Sequence, residues 1–201
     1  MAELLIVVAI ILIIAAIAVP NIAQTVANYR LNASGQSVAS LLQQARLTAV
    51  KTNQPYYARY DTTKTPNIVF FNPDPAVTTF SSGLPSVAID GNTAFQTAAL
   101  PDYAQLGAYL GASVSIQAGA GAIGFNQRGL PCLSSTNTIN TPCDQNAPPP
   151  GGGARAFIWF MQYQSSGWEA VTVTPGGRIK SWRLGSLDPS STACGYPACW
   201  Q

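Results

Sequence analysis

The sequence predicts an α+β protein in which one long N-terminal α-helix packs on an antiparallel β-sheet. Residues 4–19 form an unbroken apolar run. Apolar side chains then recur at helical spacing, at Ile22, Val26, Tyr29 and Ala33 and again from Val38 to about residue 51. Beyond residue 55, short runs rich in aromatic and β-branched residues alternate with turn-forming Gly, Pro, Asn and Ser. One long helix followed by a series of strands is the pattern of the α+β class.

The apolar run is the first half of the predicted helix. We expect residues 1–26 to form a membrane or filament-core helix, and residues 27–201 to form a globular domain that includes the helix to about residue 52. A helix of about 50 residues is about 75 Å long, which is more than a domain of this size can bury. Pro20 removes one backbone donor, so a kink or local melting is expected there. The first half therefore needs lipid or other subunits around it.

Glu3 lies at the head of this apolar run. A carboxylate in an apolar environment is costly, roughly 2.5 kcal/mol or more at the centre of a membrane helix. No Lys or Arg precedes Arg30, so no nearby cationic side chain can pair with Glu3. The obvious cation is an α-amino group, either its own or that of another copy. The sequence therefore predicts a helix built for self-assembly.

Three kinds of segment begin in a comparable way. A secretory signal peptide has a basic start, whereas this start is acidic. A simple membrane anchor needs about 20 apolar residues, which fits the run. The third is the N-terminal helix of a type IV pilin. The string Glu-Leu-Leu-Ile-Val-Val-Ala-Ile at residues 3–10, followed by Ile-Ala-Ala-Ile-Ala-Val-Pro-Asn at residues 14–21, closely resembles the signature of that family.

The resemblance implies a structural subunit of an extracellular pilus-like filament, a homopolymer of identical subunits. It implies that the chain waits in the bacterial inner membrane, is methylated at its N-terminus, and is extruded by inner-membrane pilus assembly machinery. The assembly residues would be Glu3, Leu4, Leu5 and Pro20, with Glu3 paired to the terminal amine of a neighbour. In the family, two further residues usually precede the position of Met1, so the glutamate there lies deeper in the chain.

The remainder of the chain contains seven predicted strands and two irregular regions. The strands are expected at residues 56–60, 68–71, 114–117, 123–125, 156–162, 168–173 and 178–183. Residues 72–112 are rich in Pro, Thr, Ala and Gly and carry weak strands at best, and residues 131–154 are expected to form a surface excursion. The strands are expected to form one antiparallel meander.

Three segments of the domain extend the resemblance. Residues 44–50, residues 124–131 (Gly-Phe-Asn-Gln-Arg-Gly-Leu-Pro) and residues 171–180 (Val-Thr-Val-Thr-Pro-Gly-Gly-Arg-Ile-Lys) resemble the H-type pseudopilins of type II secretion and the minor pilins of DNA-uptake pili. This resemblance implies an alternative function: a minor pilin or pseudopilin that binds DNA for uptake or primes a periplasmic secretion pseudopilus.

Residues 177–180 correspond to a Gly-Arg-x-Arg stretch that contributes to DNA binding in the DNA-uptake relatives, with Lys180 in place of the second Arg. Strand alternation predicts Arg178 and Lys180 on one face, with Trp182 available to stack on a base and Arg183 adding charge nearby. Three charges make a small phosphate footprint, and the net charge of the chain is only +2. A solvated edge strand, whose cations block unwanted pairing, is the favoured alternative.

The composition indicates a filament or surface protein more than an enzyme. Charged residues make up 9% of the chain, against about 25% in typical globular domains. The chain has no histidine, which removes the commonest general base and metal ligand. Neither Glu169 nor Asp188 has a partner at catalytic spacing in the sequence. No catalytic site, metal site or cofactor is therefore predicted.

All four cysteines lie in the second half of the chain, at Cys132, Cys143, Cys194 and Cys199. Disulfides in an oxidising compartment are expected, and four cysteines allow three connectivities. Pairs Cys132–Cys143 and Cys194–Cys199 are favoured because the members of each pair are close in sequence.

Overall fold

The computed structural model describes residues 2–101, 103–110, 113–116, 122–132, 155–164, 166–184 and 200. The predicted α+β class is confirmed. The elements in chain order are α1 (Ala2–Thr52), β1 (Tyr56–Asp61), β2 (Ile68–Asn72), β3 (Ser86–Ala88), β4 (Thr93–Gln96), α2 (Ala104–Leu110), β5 (Ser113–Ile116), β6 (Ile123–Phe125), β7 (Pro131–Cys132), β8 (Arg155–Tyr163), β9 (Ser166–Val173) and β10 (Ile179–Arg183).

The described strands form two sheets, not the single meander expected from the sequence. Sheet 1 has the order β3-β2-β1-β6-β7, and sheet 2 has the order β10-β9-β8-β4 with β5 also paired to β8. The chain crosses between the sheets because β4 and β5 join sheet 2 before β6 and β7 return to sheet 1. One edge of β8 is shared: β5 runs parallel to residues 155–158, and β4 runs antiparallel to residues 160–163.

The second half of α1 packs on both sheets and forms one core with them. Its buried side chains recur at helical spacing: Leu31, Val38, Leu41, Leu42, Ala45 and Ala49. They meet the inner faces of the sheets, including Tyr60 and Phe71 of sheet 1 and Trp159 and Val171 of sheet 2. The apolar face predicted from Val38 onward is confirmed. By contrast, Ile22, Val26 and Tyr29 are exposed, and in that part of α1 it is Ala27 that packs against the core.

Sheet 2 is covered on its outer face as well. Side chains of β8, β9 and β10 pack there against Leu106 of α2 and against Trp200. Both faces of β8 are buried, which explains why residues 156–161 are apolar at every position instead of alternating. Helix α2 was not predicted, because its seven residues are too few to show a helical period.

Two turns of the same design meet beside α1. In turn 1 (residues 126–130) and turn 2 (residues 174–178), the N–H of the fourth residue donates to the carbonyl of the first, and the first residue's N–H donates to the carbonyl of the fifth. In each, the side-chain oxygen of the first residue accepts a backbone N–H of the turn. The fourth residues, Gly129 and Gly177, have φ of 72° and 78°, a region that favours glycine.

Arg46 of α1 fastens turn 1 to the helix. Its Nε donates to the carbonyl oxygen of Gly129 at 2.9 Å, and its guanidinium also lies against Gly177 of turn 2. The segments around residues 44–50, 124–131 and 171–180, which were separate in the sequence, therefore meet at one place. Near the start of the docked part of α1, Arg30 forms an ion pair with Asp90 at 3.5 Å.

The helix α1 contains 51 residues and is therefore about 76 Å long. It runs through Pro20 without interruption, so the local melting considered for that residue does not occur, and the kink stays a prediction. Within the part of the chain that the structure describes, no helix is both long enough and apolar enough to cross a membrane.

Candidate functional site

Residues 6–16 of α1 form an exposed apolar segment, which we call the apolar rod. All eleven residues are apolar and exposed, and the eight large side chains between Ile6 and Ile14 are 49–63% exposed. Eleven residues make about three helical turns, so the apolar surface surrounds the helix on every side. A helix that is apolar all round belongs in an interior, because no orientation of one partner covers it.

The predicted assembly residues lie at the two ends of this rod. The backbone of Glu3, Leu4, Leu5 and Pro20 belongs to α1. Their side chains lie outside the described part of the structure, so their roles in assembly stay predictions. The rod between them is described.

The predicted cationic strand forms one wall of a pocket on the outer face of sheet 2. The volume of the pocket is about 470 Å³. Its polar lining comes from the β9–β10 hairpin: Thr172, Thr174, Arg178 and Lys180. Its apolar lining comes from α2, β10 and the C-terminal end: Tyr109, Leu110, Trp182 and Trp200. The predicted placement of Arg178 and Lys180 on one face is thus consistent with the structure.

Trp182 contacts three of the other residues that line this pocket. Its indole Nε1 donates to Thr172 Oγ1 at 2.8 Å, and the Tyr109 ring lies 5.3 Å from it between centroids. The Lys180 ammonium lies 3.5 Å from the centroid of the Trp182 ring, a cation–π contact that holds the charge at the pocket. Only 8% of Trp182 is exposed. The expectation that Trp182 stacks on a base is therefore wrong, since its ring is already covered by protein groups.

Arg183 does not join the other two cations. It is exposed, and its cross-strand neighbour in β9 is Glu169. Because strand side chains alternate, Arg183 lies on the face of sheet 2 that is opposite Lys180 and Trp182. The expectation that Arg183 adds charge near Arg178 and Lys180 is therefore wrong, and the cationic surface contains two residues instead of three.

Glu169 is the unusual group on the inner face of sheet 2. It is 1% exposed and lies over Gly35 of α1, where any Cβ would overlap its carboxylate. Its Oε2 has no hydrogen-bond partner among the described residues. Burial raises the pKa of the Glu169 carboxyl to about 8, and the positive charge of Arg183 opposes that rise.

The sequence contained a signal for this contact. Glu169 occupies an inward position of β9, where Val171 and Val173 follow at the same alternation, and Gly35 interrupts the buried face of α1. A charged residue in a core position of a strand and a glycine inside a helix each cost stability. The contact between the two residues explains both, because the glycine leaves room on α1 for the buried carboxyl of Glu169.

Cys132 is disulfide-bonded, so the prediction of disulfides is confirmed for that residue. Its partner lies outside the described residues, as do Cys143, Cys194 and Cys199, and the pairing stays a prediction. Non-reducing peptide mapping is expected to find Cys132 joined to Cys143 and Cys194 joined to Cys199. A crossed pattern such as Cys143–Cys194 would contradict this assignment.

Comparisons with models of known protein families, with characterised proteins and with solved structures found no match for this chain. Within the described residues, no cluster of three or more His, Cys, Asp or Glu side chains is placed to hold a metal ion. The function must therefore be inferred from the apolar rod, the pocket and the buried carboxyl.

Proposed function

We propose that this chain is a structural subunit of a type IV pilus-like extracellular filament, in which the N-terminal helices of many identical copies pack together. The observation that carries the proposal is the apolar rod, which is exposed on every side and lies outside the core of its own domain. The resemblance of residues 3–21 to type IV pilins supports the same function. The proposal includes a membrane-held stage and inner-membrane assembly machinery before the filament forms.

The energy available from the rod supports a polymer. Full burial of a Val, Leu or Ile side chain contributes about 1.5–3 kcal/mol, so completing the burial of eight half-exposed ones contributes on the order of 10 kcal/mol per subunit. Association costs about 4–15 kcal/mol in lost freedom of motion. A single neighbour covers only one side of the rod and recovers part of that energy. Several neighbours are needed, which is the arrangement in the centre of a helical filament.

Copies of the same chain are the partners that fit the rod best. An identical helix supplies a matching apolar surface, and the resemblance to type IV pilins implies that its terminal amine pairs with Glu3. The two sheets pack only on the second half of α1, so the rod is free of its own domain and available to neighbours.

A minor pilin that binds DNA is the second candidate function. The observation that favours it is the placement of Arg178 and Lys180 together at the pocket. Two cations give weak binding to phosphates. Each phosphate contact contributes only about −0.9 to the slope of log affinity against log salt concentration. Arg183, which would have been the third, faces the other way, so the filament proposal is the stronger one.

The matched pair Leu12→Asp and Leu47→Asp tests the filament proposal. Both leucines lie in α1 and are similarly exposed, 63% and 68%, but only Leu12 belongs to the rod. A charge in an apolar helix core costs roughly 2.5 kcal/mol or more, which corresponds to more than a tenfold loss of affinity. Leu12→Asp should abolish filaments in electron micrographs of cells that carry only this variant, whereas Leu47→Asp should still assemble.

Glu3→Ala is a second, independent test of the filament proposal. Removing the carboxylate should leave the domain folded but slow or prevent assembly, because the neighbour's amine loses its partner. The proposal is wrong if Leu12→Asp gives a normal yield of filaments, or if the wild-type protein forms no homopolymer when it is expressed with its assembly machinery.

A further inference from the structure

The pocket and the docked second half of α1 lie on opposite faces of sheet 2. Helix α1 packs on the inner face of sheet 2, where Val171 and Val173 meet it. Thr172, Lys180 and Trp182 belong to the outer face of the same sheet and line the pocket. Any contact that buries α1 therefore leaves the pocket facing away from that contact.

The lining of the pocket selects a negatively charged ligand. Arg178 and Lys180 are cationic side chains, and among the described lining residues none is acidic. Lys180 is held in place by its contact with the Trp182 ring, so its ammonium loses little freedom when an anion binds. Thr174 accepts the backbone N–H of Arg178, which leaves its hydroxyl proton available as a further donor.

The shape of the pocket selects a small ligand. Ligand pockets commonly have volumes of about 300–1,000 Å³, and this pocket of about 470 Å³ accommodates one or two rings. Tyr109, which is 42% exposed, supplies an aromatic surface at its edge for the flat side of a ring. The pocket thus offers an apolar surface beside two cations and a hydroxyl.

We propose that this pocket binds a small organic anion, a carboxylate or phosphate carried on a single ring. Arg178 and Lys180 contact the anionic group, Thr174 donates to it, and Tyr109 contacts the ring. The inference goes beyond the filament proposal and does not depend on it. If the chain does form a filament around α1, the pocket lies on the face of sheet 2 that is turned away from α1.

An extended polyanion such as duplex DNA fits the geometry less well. A phosphate backbone needs cations spread along a convex or open surface, whereas Arg178 and Lys180 converge on a concave site. Arg183, the next cation along the chain, lies on the opposite face of the sheet and cannot extend the contact.

Calorimetric titration of the full chain in a non-ionic detergent at low ionic strength tests the proposal. Glucuronate and glucose 6-phosphate are each compared with glucose, because each differs from glucose only at the carbon that carries its charged group. At least one anion should bind while its neutral counterpart does not, and the binding should weaken as salt is added. The anion that gives the larger difference from glucose assigns the ligand as a sugar acid or a sugar phosphate.

Single substitutions locate the site. Arg178→Gln and Lys180→Gln should each weaken binding about tenfold, as expected when a charge-assisted hydrogen bond is lost. Arg183→Gln is the matched control, since it removes a positive charge from the same β9–β10 hairpin but on the opposite face of the sheet, and should bind like the wild type. The proposal is overturned if neither anion binds the wild-type protein, if Arg183→Gln weakens binding as much as Arg178→Gln, or if duplex DNA binds while both small anions fail.

Discussion

Glu169→Gln is expected to stabilise the folded chain, and the gain should grow as the pH rises. Burial raises the pKa of Glu169 from its ordinary value of 4.5 to about 8. Between these values the folded state keeps a proton that the unfolded state has lost, so the stability of the wild type falls by about 1.4 kcal/mol per pH unit. The amide of Gln does not titrate, so Glu169→Gln does not lose stability in this way. The loss in the wild type reaches on the order of 5 kcal/mol above pH 8.

Urea unfolding at a series of pH values, followed by tryptophan fluorescence, measures this effect. The two proteins should differ least well below pH 4.5, where the carboxyl is protonated in both the folded and the unfolded state, and most above pH 8. In Arg183→Gln the loss of stability should continue to a higher pH, because this substitution removes the positive charge that opposes the raised pKa of Glu169. A stability difference between Glu169→Gln and the wild type that does not change with pH would show that Glu169 has the same pKa in the folded and unfolded states, and would contradict the prediction.

The contact between Glu169 and Gly35 could not be predicted from the sequence. Each residue was visible as an anomaly in its own element: a carboxylate at an inward position of β9, and a glycine on the buried face of α1. Periodicity assigns a residue to a face but does not say which residue of another element lies opposite. The pairing depends on how α1 sits on sheet 2, which is a tertiary property.

Long regular segments were predictable because their signals accumulate over many residues. The helix to residue 52 and the strands β8, β9 and β10 follow from apolar runs and periodicity. The assignment of strands to two sheets did not follow, because the short strands β4 and β5 pair with a β8 that is distant in sequence. Alternation placed Lys180 correctly, and the same rule would have placed Arg183 on the opposite face.

Gly177→Ala is expected to destabilise the domain strongly, because a side chain at this position meets both a backbone restriction and a backbone atom. Gly177 has a φ of 78°, a conformation that costs a residue with a Cβ about 1–2 kcal/mol. The added Cβ would lie 2.6 Å from the carbonyl oxygen of Gly129 in turn 1. That oxygen accepts the hydrogen bond from Arg46, so moving it weakens the attachment of α1. Together these effects should cost about 2–4 kcal/mol.

Gly176→Ala is the matched control for this prediction, since it makes the same substitution one residue earlier in the same turn. Its Cβ would have no heavy atom within 4 Å, so stability should change by less than about 0.5 kcal/mol. Urea unfolding of both variants, at one protein concentration in a detergent that keeps the chain monomeric, gives the comparison. Equal stabilities for the two variants would mean that the close contact between turn 1 and turn 2 does not contribute to stability. The attachment of α1 would then depend on the bond from Arg46 to turn 1 alone.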